Sequence, residues 1–395
     1  MEQHRGLRTS VYNKLMTINL LKKGLEIELY GGKDSGEVIP LSKKLQKHFS
    51  FISQEPDQRN FEYITKPCRD YNDLFSEIIK PRLQIRKYLK EEGGLTLIPG
   101  STMPLLFAKN FYYSKASDPY HQFILKTYKT KVITTSVHIN IGISNYEKLF
   151  KLLCALRLDT PLFLALSASS PFHDGKLTGY ESYRWHSFPK TPGFVPLFKT
   201  HDEFIAWTNN QLKTKNMFNT RHLWTSIRPN GPNRPHKLNR IEIRICDLVS
   251  DTKMLLAIVA LIECICQKYL YDECWPEILN QKKSKLNKLV KTMDKQEELA
   301  AHHGLDAKIW DWQNDTELEA YKIIENSYKK LKPLAEKIGI LKHLNNIFEI
   351  LENGNEASRF TRMYKKNKSI SKTMQHFVRH FTNLDLKYSK IIRTA

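Results

Sequence analysis

Cysteine is scarce in this sequence, which has six cysteines in 395 residues and no Cys-x-x-Cys pair. So few thiols exclude a disulfide scaffold at this length, and their spacing does not suggest a zinc site or a thioredoxin-like motif. We therefore expect reduced thiols and a cytoplasmic protein. Cys154, Cys264 and Cys266 are expected in the core, and packing is also the favoured role for Cys246.

Long apolar runs are also missing. The most apolar run extends from Met254 to Ile262 and is followed by Glu263, so it is shorter than the ~20 residues that a membrane-spanning helix requires. We interpret this run as part of a buried helix. The N-terminal segment, residues 1–24, contains neither a continuous apolar stretch nor the small-residue cleavage site of a signal peptide. We therefore expect no membrane contact.

Two common catalytic motifs are absent as well. There is no Gly-x-x-x-x-Gly-Lys-Ser/Thr sequence, which excludes a P-loop. The segment SASSPFHDG around Ser169 lacks the Gly-x-Ser-x-Gly spacing of a nucleophile elbow. We expect His173, His302 and His303 to be ordinary loop or helix residues, because no spacing around them indicates a metal site.

Positive charge is present in excess. Lysine and arginine number 62 against 41 acidic residues, which gives a formal net charge of +21. A nucleic acid, an anionic membrane or a polyanionic small molecule would suit such a charge. The lysine runs at 282–285 and 365–368 are interpreted as solvated helix faces, because no nucleic-acid-binding motif accompanies them.

The chain divides into two unequal parts. Up to about Leu248, helical patterns alternate with strand-like segments, which are LEIELY (25–30), NFEYIT (60–65), LTLIPGS (95–101), VITTSVHINIGI (132–143) and RIEIRICDL (240–248). From Asp251 onward only helical patterns occur, broken at Gly304, Gly339 and Gly354. The Pro-rich segment 228–240 is predicted to be a loop. We predict an α+β catalytic core over residues 1–250 and a helical C-terminal part, 251–395, packed on it as one catalytic unit.

Acidic residues on the predicted strands are the most informative feature. In LEIELY, Leu25, Ile27 and Leu29 share one face of the strand, and Glu26 and Glu28 share the other. Two glutamates side by side on a strand face repel each other unless cations neutralise them. This strand therefore predicts a charged surface with bound cations opposite an apolar core.

The other strands follow the same plan. Their polar faces carry Glu62 after Glu55 in a preceding turn, Ser136 with His138 and Asn140, and Arg240 with Glu242 and Arg244. Each pattern alone is typical of a solvated edge or a surface salt-bridge row. Together they predict one sheet with a charged face. Carboxylates suit Mg²⁺ or Mn²⁺, arginines suit phosphate, and the combination suits phosphoryl transfer from ATP without a P-loop.

The motifs resemble those of glutamate–cysteine ligases of the cyanobacterial type, which belong to the wider carboxylate–amine ligase group. The segments that carry the resemblance are GLEIELY (24–30), EPDQRNFEYIT (55–65), SVHINIGI (136–143), LALSASSPFHDGKLTGYESYR (164–184), SIRPNGPNRPHKLNRIEIRICDL (226–248) and NGNEASRF (353–360). The resemblance implies a glutamine-synthetase-like fold: a mostly antiparallel, cupped sheet with a charged concave face, helices outside it and a helical C-terminal part.

The resemblance also implies an activity and its cofactors. The γ-carboxylate of L-glutamate would be joined to the amine of L-cysteine at the expense of ATP, through γ-glutamyl phosphate, as the first step of glutathione synthesis. Two or three Mg²⁺ ions, or Mn²⁺, would assist. The family's metal ligands fall on Glu28, Glu55 and Glu62 for the metal near the amino acids, and on Glu26, His138 and Glu242 for the metals at the ATP phosphates.

Several further roles follow from the resemblance. Arg244 would stabilise the transferring phosphoryl group, with Glu242 as the second catalytic residue, and Arg240 and Asn140 would contact ATP. Arg184 would bind the glutamate α-carboxylate, and Arg228 would be a further substrate contact.

Two alternatives stay open. The first is a carboxylate–amine ligase that joins glutamate to another amine, and the second is a basic nucleic-acid-binding protein suggested by the net charge alone. The small-molecule substrates glutamate, cysteine and ATP are the expected partners. The oligomeric state is not predicted.

Overall fold

The computed structural model describes residues 19–105 and 111–394. The expectation of no signal peptide concerns residues 1–24, of which 1–18 lie outside the described residues. The strands are β1 (Lys23–Gly32), β2 (Ile52–Gln54), β3 (Asn60–Ile64), β4 (Thr96–Ile98), β5 (Val137–Gly142), β6 (Phe172–His173), β7 (Lys176–Leu177), β8 (Ile227–Asn230), β9 (Arg240–Ile243), β10 (Lys308–Asp311) and β11 (Thr316–Glu319).

Helices make up much of the remaining described chain. They are α1 (Ser42–His48), α2 (Tyr71–Glu91), α3 (Pro119–Tyr128), α4 (Tyr146–Ser167), α5 (Tyr183–Ser187), α6 (His201–Lys213), α7 (Thr252–Asp272), α8 (Lys283–His303), α9 (Ala320–Lys337), α10 (Leu341–Leu344), α11 (Ile347–Asn353), α12 (Glu356–Asn367) and α13 (Ile370–Thr394). Short 3₁₀ turns lie at Lys129–Val132, Glu277–Asn280 and Gly304–Asp306.

A seven-stranded sheet organises the described part of the chain. Its strand order is β2-β3-β1-β5-β9-β8, and β4 pairs with β1 outside this path. Every pairing in the sheet is antiparallel. The central strands β1, β5 and β9 are those in which apolar and polar residues alternate in the sequence, so the sheet brings their polar faces together.

The apolar face of the sheet is fully buried, as the alternation predicts. Leu25, Ile27 and Leu29 of β1 are at most 1% exposed, and Ile241 and Ile243 of β9 are 0% exposed. The same side chains belong to one large hydrophobic cluster that also includes residues of α4 and α7. Because a one-residue slip would turn these side chains away from the core, the burial of this face fixes the register of the strands.

Helix α7 contains the apolar run noted in the sequence. By length and composition it is the one described helix that could cross a membrane, but most of it is buried inside the protein. Its Glu263 is fully buried and accepts hydrogen bonds from Lys23 Nζ at 2.6 Å and from the Tyr71 hydroxyl at 2.8 Å. The run is therefore a core helix, and a buried ion pair joins it to the first strand.

Besides the two- and three-residue strands β2, β6 and β7, three strands lie where the sequence patterns did not predict them. Strand β8 occupies the start of the Pro-rich segment 228–240, so the prediction of a loop throughout is wrong there. Pro229 is tolerated because β8 is the last strand of the sheet and one of its edges has no partner strand in the described chain. Strands β10 and β11 form a hairpin inside the part predicted to be helical only. Each is four residues long, too short for alternation to compete with the helical patterns around it.

The helix boundaries and the thiols agree with expectation. Helices α8 and α11 end directly before Gly304 and Gly354, and α9 ends two residues before Gly339. Cys154, Cys246, Cys264 and Cys266 are buried, and no cysteine forms a disulfide in the described residues. The division at residue 250 stays a prediction, since the hydrophobic cluster extends across it.

The buried Lys23–Glu263 pair yields a prediction about stability. Lys23→Met should lower the free energy of unfolding by about 3–5 kcal/mol, because it leaves a buried carboxylate without its cation. Urea denaturation would measure the change. The control Lys33→Met removes an exposed partner of Glu37 at 2.8 Å and should cost less than about 1 kcal/mol. Equal effects in the two variants would show that Glu263 does not depend on Lys23.

Candidate active site

The polar side chains that alternate along the strands lie together on one face of the sheet. The register places them opposite one another in the cross-strand pairs Glu28–Glu62, Glu26–His138, Asn140–Glu242 and Arg228–Glu242. Glu55 joins them from the segment between β2 and β3, since its carboxylate lies near those of Glu28 and Glu62. We call the group Glu26, Glu28, Glu55, Glu62, His138 and Glu242 the acidic basin.

His138 lies at the centre of the acidic basin. Its Nδ1 is 3.0 Å from Glu26 Oε2, and its Nε2 is 3.0 Å from Ser136 Oγ and 3.6 Å from Glu28 Oε1. Ser136 in turn donates to Glu28 Oε2 at 2.8 Å. Burial and the charge of Arg244 lower the pKa of His138 to about 4. The imidazole is therefore neutral at pH 7 and retains a lone pair for a ligand.

Glu242 is fully buried and held by three donors. Arg228 binds both carboxylate oxygens, with Nε 2.7 Å from Oε2 and Nη2 3.0 Å from Oε1, and Asn230 Nδ2 lies 2.6 Å from Oε2. Arg244 Nη1 donates to Oε1 as well. Burial alone would raise the pKa of Glu242, but Arg228 and Arg244 outweigh it and hold the pKa well below the usual range. Glu242 is thus a fixed anion.

Three other carboxylates of the basin, Glu28, Glu55 and Glu62, repel one another. Burial and the neighbouring Glu55 raise the pKa of Glu28 to about 8. Burial, again with Glu55 as the strongest of several carboxylates, raises the pKa of Glu62 well above its usual value. Burial raises the pKa of Glu55 too. Glu28 and Glu62 are buried and Glu55 is half-buried, and these three carboxylates with raised pKa values form a site that protons or cations must neutralise.

Two overlapping groups in the described residues have the geometry to hold a cation. Glu28, Glu55 and Glu62 form one group, and Glu26, Glu62 and His138 form the other, with ligand atoms within 4.8 Å of one another in each. Carboxylate oxygens with one imidazole are a donor set that Mg²⁺ and Mn²⁺ accept. Glu242 lies outside both groups, but its Oε1 is 3.7 Å from His138 Nδ1. The residues present therefore fit the predicted metals.

Arg184 lies against the backbone that follows β9. Its Nη2 donates to the Arg244 carbonyl at 3.0 Å, and its Nη1 donates to the Ile245 carbonyl at 3.1 Å and contacts Asp247 Oδ1 at 3.4 Å. The side chain is buried, and its Nε has no hydrogen-bond partner among the described residues. The role predicted for Arg184 at the glutamate α-carboxylate stays a prediction.

Asn140 and Arg240 extend the acidic basin along β5 and β9. Arg240 Nε donates to Asn140 Oδ1 at 3.0 Å, and Asn140 Nδ2 donates to Glu26 Oε1 at 3.2 Å. The amide thus connects a half-buried cation to a carboxylate of the basin. This position is compatible with the predicted contacts to ATP, which stay predictions.

Two residues near the basin were not singled out from the sequence. Asp247 accepts hydrogen bonds from the Ser169 amide and from the hydroxyls of Ser170 and Ser182 at 2.6–3.0 Å, and so joins distant segments behind the basin. Asn230 binds Glu242 from the Pro-rich segment. Alternation could not indicate Asp247, because it falls on the side of the period-two pattern that Ile241, Ile243 and Ile245 assign to the core.

Comparison with known proteins identifies the family. A family model described as glutamate–cysteine ligase family 2 matches residues 22–377, which is most of the chain. The chain belongs to this family. It is therefore a ligase, and the resemblance seen in the sequence is confirmed. Family membership supports ATP-dependent γ-glutamyl ligation as the class of reaction, with ATP as co-substrate.

Relatives with a provisional name support the same assignment. A protein of Solibacter usitatus, provisionally named glutamate–cysteine ligase 2, is 28% identical over 332 residues, which cover 83% of each chain. A protein of Corynebacterium glutamicum strain R with the same provisional name is 29% identical over 327 residues, which cover 80% of this chain and 82% of the relative.

Two solved structures share the fold. A bifunctional glutathione synthetase from Pasteurella multocida matches 92% of this chain with a TM-score of 0.73 at 16% identity, and this chain spans about half of it, 52%. A glutamate–cysteine ligase from Francisella tularensis, solved in complex with AMP, matches with a TM-score of 0.65 at 12% identity over 96% of this chain and 94% of its own. The predicted α+β fold, with its antiparallel sheet and C-terminal helices, is confirmed.

The crowded carboxylates yield a prediction about metal-free protein. At pH 7.5 without divalent cations, Glu62→Gln should raise the melting temperature, because a neutral amide of the same shape replaces a repelled carboxylate. Relief of about 1 kcal/mol would appear as roughly 1 °C in a chain of 395 residues, because the entropy of unfolding scales with chain length. Added Mg²⁺ should stabilise the wild type more than the variant. The exposed Glu352 provides the control Glu352→Gln, which should leave both responses unchanged. A metal-free Glu62→Gln protein that melts below the wild type would contradict the repulsion.

Proposed function

We propose that this enzyme joins the γ-carboxylate of L-glutamate to the amine of L-cysteine, cleaves ATP to ADP and phosphate, and catalyses the first step of glutathione synthesis. The observation that carries the proposal is the acidic basin itself: four glutamates and a neutral histidine on adjoining strands and Glu55 from the segment before β3, with Arg244 on the same face. Membership of the glutamate–cysteine ligase family supports the choice of substrates.

The reaction needs an activated carboxylate, because a carboxylate does not react with an amine directly. Transfer of the ATP γ-phosphoryl group to the glutamate γ-carboxylate gives γ-glutamyl phosphate and ADP. The cysteine amine then attacks the acyl carbon, the carbon–oxygen bond to phosphate breaks, and the amine loses a proton. The products are γ-glutamylcysteine and inorganic phosphate.

The basin residues are proposed to hold two or three Mg²⁺ ions, a role that Mn²⁺ could also fill. Glu28, Glu55 and Glu62 would hold the ion near the amino acids. Glu26, His138 and Glu242 would hold the ions at the ATP phosphates. When bound, Mg²⁺ neutralises charge on the phosphate oxygens.

Arg244 is proposed as the group that stabilises the transferring phosphoryl. Its Nη1 contacts Glu242 and lies 3.3 Å from His138 Nδ1, so the guanidinium is fixed at the edge of the basin. A donor fixed where charge develops is typically worth ~3 kcal/mol in the transition state. Arg228 holds Glu242 through both oxygens, and this contact supports a positioning role besides the predicted contact with substrate.

The buried thiols support a route without a covalent enzyme intermediate. Cys246, the thiol at the end of the arginine-bearing segment, is 0% exposed, and burial raises its pKa to about 12. A thiol of that pKa is protonated at pH 7 and is a poor nucleophile. We therefore assign activation of glutamate to phosphate.

The γ-glutamyl phosphate should be trapped by hydroxylamine in the absence of cysteine. Enzyme, glutamate, ATP, Mg²⁺ and hydroxylamine should yield γ-glutamyl hydroxamate and ADP, measured by the ferric hydroxamate colour and by chromatography. Arg244→Ala should reduce the hydroxamate and cysteine reactions alike by roughly 100-fold, whereas Arg379→Ala, at an exposed arginine of α13, should change neither. Formation of AMP and pyrophosphate would refute the phosphate route.

The amine substrate separates the proposal from its alternative within the same class. In a panel of amines scored by ADP release with saturating glutamate, cysteine should give the highest kcat/KM. A higher value for another amine would favour the carboxylate–amine ligase alternative, with glutamate activation unchanged.

A further inference from the structure

Arg221 is a cation beside the acidic basin to which the mechanism above gives no role. It lies in the loop 219–222 that precedes β8, and its side chain is exposed. It forms no ion pair with any carboxylate of residues 19–105 and 111–394. An exposed guanidinium of this kind has donors free for a ligand.

Two arginines of the site hold this loop in place. Arg228, which binds Glu242 through Nε and Nη2, places its Nη1 3.5 Å from the carbonyl oxygen of Arg221. Arg234 Nε donates to the Thr220 carbonyl at 3.2 Å. The backbone of Arg221 is thus connected through one side chain to a carboxylate of the basin, and its position depends on the geometry of the site.

The side chain of Arg221 lies over an aromatic wall. Its guanidinium carbon lies 5.9 Å from the centre of the Tyr120 ring, and Tyr120 packs on Phe218 and His222, with ring centres 5.7 and 6.0 Å apart. Arg221 therefore lies on an aromatic wall, in the loop that Arg228 connects to Glu242 of the basin.

The other arginines around the basin each have donors engaged within the protein, although Arg184 Nε has no partner among the described residues. Arg228 and Arg244 bind Glu242, and both terminal nitrogens of Arg184 donate to backbone carbonyls. An amino-acid substrate that enters a carboxylate-rich site needs a cation for its own α-carboxylate, and a guanidinium binds a carboxylate with two parallel hydrogen bonds.

We propose that Arg221 forms the binding subsite for the α-carboxylate of an amino-acid substrate at the entrance of the acidic basin. The inference rests on the proposed function, because glutamate and cysteine are its amino-acid substrates. Both carry this group, so the chemistry of the subsite is the same for either, and an experiment distinguishes them.

The test compares Arg221→Ala with the wild type in two reactions, with cysteine or with hydroxylamine as the nucleophile. The KM of one amino acid should rise roughly 10- to 100-fold, as expected for the loss of a charged hydrogen-bonded pair, and the KM of ATP should stay within twofold. Arg221→Lys should give an intermediate increase, since it keeps the charge without the fork.

The two reactions identify the amino acid that is bound. If Arg221 binds cysteine, the KM of cysteine rises, the KM of glutamate in the hydroxylamine reaction is unchanged, and the preference for cysteine over cysteamine, which lacks the carboxylate, is lost. If Arg221 binds glutamate, the KM of glutamate rises with either nucleophile. Either result supports the subsite.

The controls separate this inference from charge, folding and the proposed function. Lys213→Ala removes an exposed positive charge at the end of α6 and should leave every KM unchanged. Unaltered thermal unfolding of Arg221→Lys shows that the fold is kept. Both amino-acid KM values within twofold of wild type in Arg221→Ala would overturn the inference. If the wild type formed neither product, the proposed function would fail, and calorimetric titration with glutamate and with cysteine would still test Arg221 by binding.

Discussion

Like-charge repulsion within the acidic basin is the constraint on which the rest of the structure depends. Carboxylates that would avoid one another in water are held together because the opposite faces of their strands are buried in the core, as Ile27 and Ile241 are. Arginines that bind Glu242 offset part of the charge. The arginines leave part of the repulsion at Glu28 and Glu62 without compensation, and divalent cations are proposed to offset this remaining negative charge.

The arrangement also explains why several arginines serve as supports. Arg228 fixes Glu242 by a two-point contact, and Arg184 fixes the backbone that carries Arg244. Asp247 fixes Arg184 from behind, together with the hydroxyls of neighbouring serines. A charged site that is buried to this extent requires supporting ion pairs and hydrogen bonds of this kind, because an unpaired buried charge costs several kcal/mol.

Much of this fold could be predicted from period-two alternation, because the residues of a single strand are enough to assign its apolar and polar faces. In β9, and in β1 from Leu25 to Leu29, every second residue is apolar, so the side chains of Glu26 and Glu242 could be assigned to the polar face without tertiary information. Strand β8 gave no such signal, because Pro229 and its neighbours are typical of turns. An edge strand tolerates proline. Whether a segment becomes an edge strand depends on its tertiary contacts, which the alternation of its own residues does not predict.

The arginines show where sequence reasoning ends. Arg184, Arg221 and Arg244 are equivalent as residues, and no spacing reveals which guanidinium is occupied by backbone carbonyls and which faces solvent. That distinction arises from contacts between segments far apart in the sequence, such as the loop before β8 and the strand β9. The resemblance to a family supplied roles for Arg184 and Arg244, and the three-dimensional contacts drew attention to Arg221.

Glu62 belongs to both candidate cation groups of the basin. A carboxylate shared in this way links the occupancies of the two positions, since a cation in one group reduces the negative charge that the other group presents. Linkage of this kind is reciprocal: the free-energy effect of the first ion on the second equals that of the second on the first. The affinity of each group for its cation would then depend on whether the other group is already occupied. The total free energy of binding both cations would be the same whichever cation binds first.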